Sequence, residues 1–304
     1  MTAGASPSDL WPALSYSAFE PTRRLLHMVL QAVGKLKLAE PFQAQWADVP
    51  LWLSARGLTT GPIPYAGDVY EVRVDLVSHE VQWLTSSGAS GRMPLGPTSV
   101  AIFVGALLNE LRQAGVDAAI NLKPQEVPDP IPFDEDKEPR PYDRDLANAW
   151  WRILLSAQRV LQVFQGRFTG KTQPIGLMWG TMDIRAAFYS GKSAAPAPTD
   201  GFIRRNAMNA ELVEMGWWSG SPAYPKPAFY SFTYPQPPRI ESAKVAPGAA
   251  RWDADMGEFL LDHDVLRRSR DPDRDLLAFL ESTYDAGATM AGWNPGLLGT
   301  GRPV

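Results

Sequence analysis

Among the side chains able to do chemistry, a cationic and aromatic set stands out. Arg56 lies in a Gly/Thr-rich loop, Lys171 precedes residues 175–190, and Trp179, Thr181, Asp183 and Arg185 alternate within that segment. Read as one long strand, the segment puts those four side chains on one face, because strand side chains alternate with period two. Arginine presents a planar fork to carboxylate or phosphate, and tryptophan offers a stacking wall. The set predicts a pocket in which Arg56, Lys171 and Arg185 hold an anionic group and Trp179 stacks. His27 or Asp183 would handle protons in any reaction there. The bland reading makes Asp183 and Arg185 a surface pair worth little.

Other chemistries find less support. Gly166-Arg167-Phe168-Thr169-Gly170-Lys171-Thr172 ends like a phosphate-binding loop, but three residues separate its glycines where four are needed. The segment also leaves a helix and enters a strand, the reverse of that loop's context. Only three histidines occur, His27, His79 and His263. His27 falls on the polar side of the first helix and His79 at an exposed turn. Asp262-His263-Asp264 reads as a charged surface turn, because three consecutive side chains cannot converge in regular structure. A metal site from His27, Asp75 and Glu211 would need the fold to bring them together, and no metal is assigned. No Gly-x-Ser-x-Gly elbow is present. The absence of cysteine excludes disulfides, thiolate metal sites and cysteine nucleophiles. No cofactor is implied.

The elements that must position these residues follow from periodicity. Ser17-Ala18-Phe19-Glu20 has the form of a capping box, and Leu25, Val29, Ala32, Val33 and Leu36 make an apolar stripe on a helix over 17–38. Arg23, Arg24, His27, Gln31 and Lys35 fall on its other side. Tyr70, Val72, Val74 and Leu76 alternate with charged residues as a half-buried strand, and Val81 and Trp83 resume the pattern after a turn. Residues 98–114 read as a helix with Gly115 as its cap. Residues 123–142 contain six prolines and Asp134-Glu135-Asp136, a composition that predicts a semi-rigid bridge. Asp143 caps a helix whose stripe is Leu146, Trp150, Ile153, Leu154, Ala157, Leu161 and Phe164. A short helix is expected over 200–215, an aromatic strand over 229–234, a short strand over 257–261 and a last helix opened by Asp271-Pro272.

The same order of elements thus occurs twice. The expectation is an α+β fold of two similar helix–strand–hairpin–helix halves, a pseudo-duplicated scaffold over 1–122 and 143–304 joined by the bridge 123–142. Such scaffolds often hold a site where the halves meet. The chain has 304 residues, 45% of them apolar, with 11 tryptophans that suit a heavy core or an aromatic-lined pocket. A net charge of −4 gives no electrostatic footprint for nucleic acid. No signal peptide and no membrane-spanning run are visible, so a cytoplasmic location is expected.

Several short segments occur in one particular order: His27-Met28, Ser54-Ala55-Arg56-Gly57-Leu58-Thr59-Thr60, Ile63-Pro64-Tyr65, Glu126-Val127-Pro128-Asp129, Gly170-Lys171, Met178-Trp179-Gly180 and Phe229-Tyr230. As a set they resemble a bacterial family catalogued only as a domain of unknown function (domain of unknown function 5996). The resemblance runs from about Trp11 to Trp293 and implies no activity. It does imply a His-Glu pair near position 210, where this chain has Ala210-Glu211, which weakens any histidine-based mechanism. Two functions follow as expectations. One is a pocket for a small anionic or polar-aromatic metabolite, in either an enzyme or a binding protein. The other is a non-catalytic interaction module whose bridge and exposed aromatics dock a partner.

Overall fold

Two antiparallel sheets of six strands each carry the chain, and the computed structural model describes residues 10–299. The first sheet holds β1 (Trp52–Ser54), β2 (Gly57–Thr59), β3 (Ile63–Tyr65), β4 (Asp68–Asp75), β5 (Glu80–Thr85) and β6 (Ser90–Pro94). In sequence it lies between helices α1 (Tyr16–Lys35) and α2 (Val100–Gln113). The second holds β7 (Gly176–Met178), β8 (Asp183–Ser193), β9 (Ala210–Trp218), β10 (Ala228–Tyr234), β11 (Arg251–Asp253) and β12 (Glu258–Asp262). Helix α3 (Arg144–Gln165) precedes it, α4 (Phe202–Ala207) and α5 (His263–Leu266) interrupt or follow its strands, and α6 (Pro272–Met290) closes it. The fold is α+β.

In the first sheet β2 and β3 share one edge of β4, and β5 and β6 continue on the other. The second runs β7-β8-β9-β10, then β12 and β11. Leu51 and Leu177 exchange two backbone hydrogen bonds of 2.9 Å, so the first strands of the two sheets meet antiparallel. Helix α1 packs on α2 and α3, and α3 and α6 cover one face of the second sheet. One apolar core runs through both halves, and Ala187, Tyr189, Met208 and Leu212 form a smaller cluster on the second sheet's other side.

Helix α3 forms as its sequence predicts. The Asp143 carboxylate accepts from the Leu146 amide at 3.0 Å, and Trp150, Ile153, Leu154, Ala157, Leu161 and Phe164 are buried. The Asp271 side chain likewise caps α6. Four expectations need correction. Helix α1 begins at Tyr16 after Ser15, without a side-chain cap bond, and Glu20 pairs with Arg23 instead of closing a capping box. The polar side of α1 is not solvated: His27, Gln31 and Lys35 are all buried. Residues 175–190 are two strands, folded back by a turn in which Met182 has φ 60° and its amide bonds the Met178 carbonyl. Residues 210–218 are strand rather than helix, and Gly216 lies mid-strand.

The proline-rich segment lies on the body of the protein and so covers the polar side of α1. Phe133 is fully buried, Asp136 accepts from the Ala101 amide, and Thr98 and Arg140 form an antiparallel bridge. Among the described residues no helix is long and apolar enough to cross a membrane.

Candidate ligand cavity and its ionisable cluster

Three polar residues at helical spacing on α1 tie down the loops around the site. His27 Nε2 meets the carbonyls of Gly180 and Trp179 at 2.9 and 3.1 Å. Both partners are acceptors, so Nε2 carries the proton. Burial drives the imidazole pKa down to about 4, so it is neutral at ordinary pH. Gln31 clamps Gln125 by donating to its carbonyl at 2.6 Å and accepting from its amide at 2.8 Å. Lys35 donates to the Lys123 carbonyl at 2.9 Å, and burial lowers its pKa to about 8. The stripe therefore holds the β7–β8 turn with its first residue and the proline-rich segment with the other two.

Aromatic walls follow from close approaches that only certain residues permit. The Trp179 ring lies against Gly34 of α1, where a Cβ would come within 2.2 Å of it. Its indole N–H donates to the Val49 carbonyl at 2.9 Å. Gln45 and Trp46, in a 3-10 turn, both take left-handed backbone angles, φ 56° and 61°. Trp46 turns its indole N–H to the Ile203 carbonyl at 2.9 Å and meets Phe42 and Phe202 edge to face. Between these walls is a cavity of about 210 Å³ lined by Leu38, Trp46, Val49, Met178, Trp179, Phe202 and Ile203, with Gln125, Glu126 and Gly180.

Glu126 connects this cavity to a buried ionisable cluster on the second sheet. Its Oε2 lies where a Cβ on Gly180 would come within 2.2 Å, and its own φ is 54°. The residue is exposed at the surface while its carboxyl group points inward. Desolvation and the nearby charge of Asp183 raise the carboxyl pKa, with Arg185 opposing. Behind it, the Arg185 guanidinium donates to Glu214 at 3.0 Å, to the Gln45 carbonyl at 3.0 Å and to Gln173 at 2.7 Å. Asp183 accepts from the Tyr230 and Thr181 hydroxyls. Tyr230 fits because its neighbour across the ladder is Gly216, where a Cβ would sit 2.8 Å from the phenol oxygen. Burial raises the pKa of both Asp183 and Glu214. Burial, followed by the charges of Asp183 and Glu214, pushes Glu258 up to about 8. Carboxyl groups outnumber the guanidinium, so the cluster retains protons that free carboxylates would have lost.

The sequence-derived residues divide between places. Lys171 and Arg185 both bond Gln45, Lys171 through the side-chain oxygen at 2.7 Å. Trp179 lines the cavity, Asp183 belongs to the cluster, and His27 sits behind the Trp179–Gly180 backbone. Arg56 is elsewhere: it pairs with Asp75 at 2.5 Å and lines a separate groove with Glu71, Arg73 and Gln82. His27, Asp75 and Glu211 are not brought together, since Glu211 bonds Ser190 and Asp75 bonds Arg56. Among the described residues no group of three or more metal-ligating side chains converges. His79 is buried against Tyr142, and His263 is fully buried with Nε2 on the Pro12 carbonyl, so neither is a surface residue.

Sequence reasoning missed Gln45, Trp46 and Glu214. It quoted Glu126 and Tyr230 only within motifs, and those motifs were the available signal. Of the segments carrying the family resemblance, His27-Met28, Glu126–Asp129 and Met178–Gly180 contribute residues at or directly behind the cavity. No curated protein and no solved structure matches the chain. A family model does, over residues 11–300, and the chain therefore belongs to that family of unknown function (DUF5996).

Proposed function

We propose that this protein binds a small molecule with a flat apolar body in the cavity between Trp46 and Trp179, its polar end directed to Glu126 and the cluster behind it. The observation that carries the reading is where the strained backbone lies. Gln45, Trp46, Glu126 and Met182, four of the eight described non-glycine residues with positive φ, frame the cavity or its cluster. Such conformations cost of order 1–3 kcal/mol each and concentrate at functional sites. The volume of about 210 Å³ exceeds the ~150 Å³ of a cavity known to admit benzene, leaving room for a substituted ring. The polar-aromatic ligand fits better than the anionic one, because Arg56, Lys171 and Arg185 are each engaged by protein groups. His27 serves as a positioning residue for the wall rather than as a proton carrier. An interaction surface draws on exposed Leu38, Phe42 and Phe202, but Leu38 and Phe202 line this same cavity.

The two halves are also read as repeats, with boundaries at 122 and 143. Each is a helix, a six-stranded antiparallel sheet and a helix in that order, and their first strands meet at Leu51 and Leu177. Superposing residues 16–113 on 144–290 tests this: α1 must fall on α3 when β1 falls on β7, and unrelated placement overturns it.

Isothermal titration with 2-phenylethanol tests the cavity. Wild type is expected to bind it, and Ile203→Trp, which fills the space from one wall, is expected to lose binding while keeping its far-UV spectrum. Undiminished binding in that folded variant places the ligand elsewhere and overturns the reading.

A further inference from the structure

We infer that the cavity selects a cationic ligand, a ring-bearing amine, and that Glu126 is the residue that recognises its ammonium group. The inference rests on the ligand-cavity reading above and adds the charge and the recognising residue. Among the described residues lining the cavity, Glu126 is the one carboxylate. Its position is imposed. The preceding residue is held at both its amide and its carbonyl by buried Gln31, its own backbone is left-handed at φ 54°, and its carboxylate occupies space that any side chain at position 180 would take. A residue held this firmly in a disfavoured conformation is placed by the surrounding structure, not by local preference.

The surroundings then decide the sign of the ligand. Behind Glu126 stand Asp183, Glu214 and Glu258, against the buried guanidinium of Arg185, whose donors go to Glu214, Gln173 and the Gln45 carbonyl, and the exposed Arg204, which pairs with Asp200. Lys171 is held by Gln45. An anionic head would meet carboxyl groups there, while Arg185 and Lys171 are already held by Glu214 and Gln45. An ammonium brings three N–H donors and no acceptor, and its positive charge favours the ionised form of Glu126, which accepts from it. The Trp179 ring already carries the Lys35 ammonium 5.8 Å from its centroid, so Trp46 is the wall whose face can favour a ligand cation.

Three probes with one ring and similar chain length separate the possibilities: 2-phenylethylamine, 2-phenylethanol and 3-phenylpropionate, titrated calorimetrically at neutral pH. The amine is expected to bind about tenfold more tightly than the alcohol, the scale of one partly exposed charge pair, with the propionate weakest. Glu126→Gln is expected to remove the amine's tenfold advantage and bring amine and alcohol to near parity. Gly180→Ala, which displaces the carboxylate without removing it, is expected to shrink the amine's advantage as well, and it stands in should Glu126→Gln fail to fold. An amine no tighter than the alcohol, a propionate that binds best, or an amine-to-alcohol ratio unchanged in both variants overturns the inference. Alcohol binding that vanishes in Ile203→Trp, without any preference for the amine, leaves the cavity reading standing and removes this one. Failure of all three probes removes both.

Discussion

Arg56–Asp75 on the first sheet and Arg185–Glu214 on the second are the same kind of ion pair with their cations in different surroundings. Both carboxylates are buried, Asp75 at 3% and Glu214 at 10% exposed, but the Arg56 side chain is 58% exposed against 10% for Arg185. The first pair finishes a turn: Asp75 also accepts from the amides of Val77 and Ser78, both at 2.8 Å. The second sits within a cluster whose other members, Asp183, Tyr230 and Gln173, are buried as well. Charges at the surface keep most of their hydration, so their pairing adds little. Charges taken out of water depend on each other, and losing one leaves the other stranded. The comparison separates two arginines that looked alike in the sequence, one paired in water and one buried in a cluster.

The sharpest way to break that contrast is Arg185→Met. It leaves Glu214 buried without its cation and releases the bonds to Gln45 and Gln173. Destabilisation of about 3–5 kcal/mol is expected, the usual cost of removing one member of a buried pair. Urea denaturation measures it, read from the midpoint at constant slope. The double change Arg185→Met with Glu214→Leu should recover much of the loss, because two apolar side chains need no compensation. A single variant that loses under 1 kcal/mol would make the buried pair energetically equivalent to the exposed one.

The same contrast explains what could be read from the sequence. Helix α3 was legible because one face meets the core and the other faces water, leaving a clean stripe ending at Phe164. Strand β4 was legible for the same reason, with Val72 and Val74 inside and Arg73 outside. Strand β9 was not. Leu212, Val213, Glu214, Met215 and Trp217 are all buried, so no alternation survives to distinguish strand from helix. The buried polar side of α1 misled in the opposite direction: His27, Gln31 and Lys35 look solvated by type, yet each bonds backbone from a distant segment. Gln45, Trp46 and Glu126 lie in irregular segments, where periodicity carries no signal. Arg185 was picked out for its chemistry, but its partner Glu214 lay in the misread element.

Acid should act on α1 next most strongly. His27 and His263 have pKa values near 4 in the folded protein against 6.5 for the free side chain, lowered first by burial. The unfolded chain therefore binds more protons between these values, and stability falls as the pH drops from 6.5 towards 4. For His27 the full effect is roughly 3 kcal/mol at most. Facing it are the Gly180 and Trp179 carbonyls, Arg23, Glu20 and Gln31. His27→Gln is expected to flatten the acid slope of unfolding free energy against pH. Glu258 works in the other direction: raised to about 8 by burial, Asp183, Glu214 and Asp253, it lowers stability as pH rises from 4.5 to 8. Glu258→Gln should therefore gain on wild type in mild alkali, and the two variants separate the histidine limb from the carboxyl limb. An acid slope unchanged in His27→Gln would mean that its imidazole stays charged in the fold.

Arg56→Ala is the smallest expected effect and the most direct control on the comparison. The guanidinium is mostly in water, so its removal lets water reach the outer oxygen of Asp75, while the inner oxygen keeps the Val77 and Ser78 amides. A loss of about 0.5 kcal/mol is expected, within the range for exposed pairs, and it should shrink further in high salt, which screens surface charges. Because Arg56 lines a groove separate from the Trp46–Trp179 cavity, 2-phenylethanol binding should not change. A loss near that of Arg185→Met would show that Asp75 depends on its arginine as Glu214 does. A change in ligand affinity with stability preserved would bring Arg56 back to the site from which its position in the fold removes it.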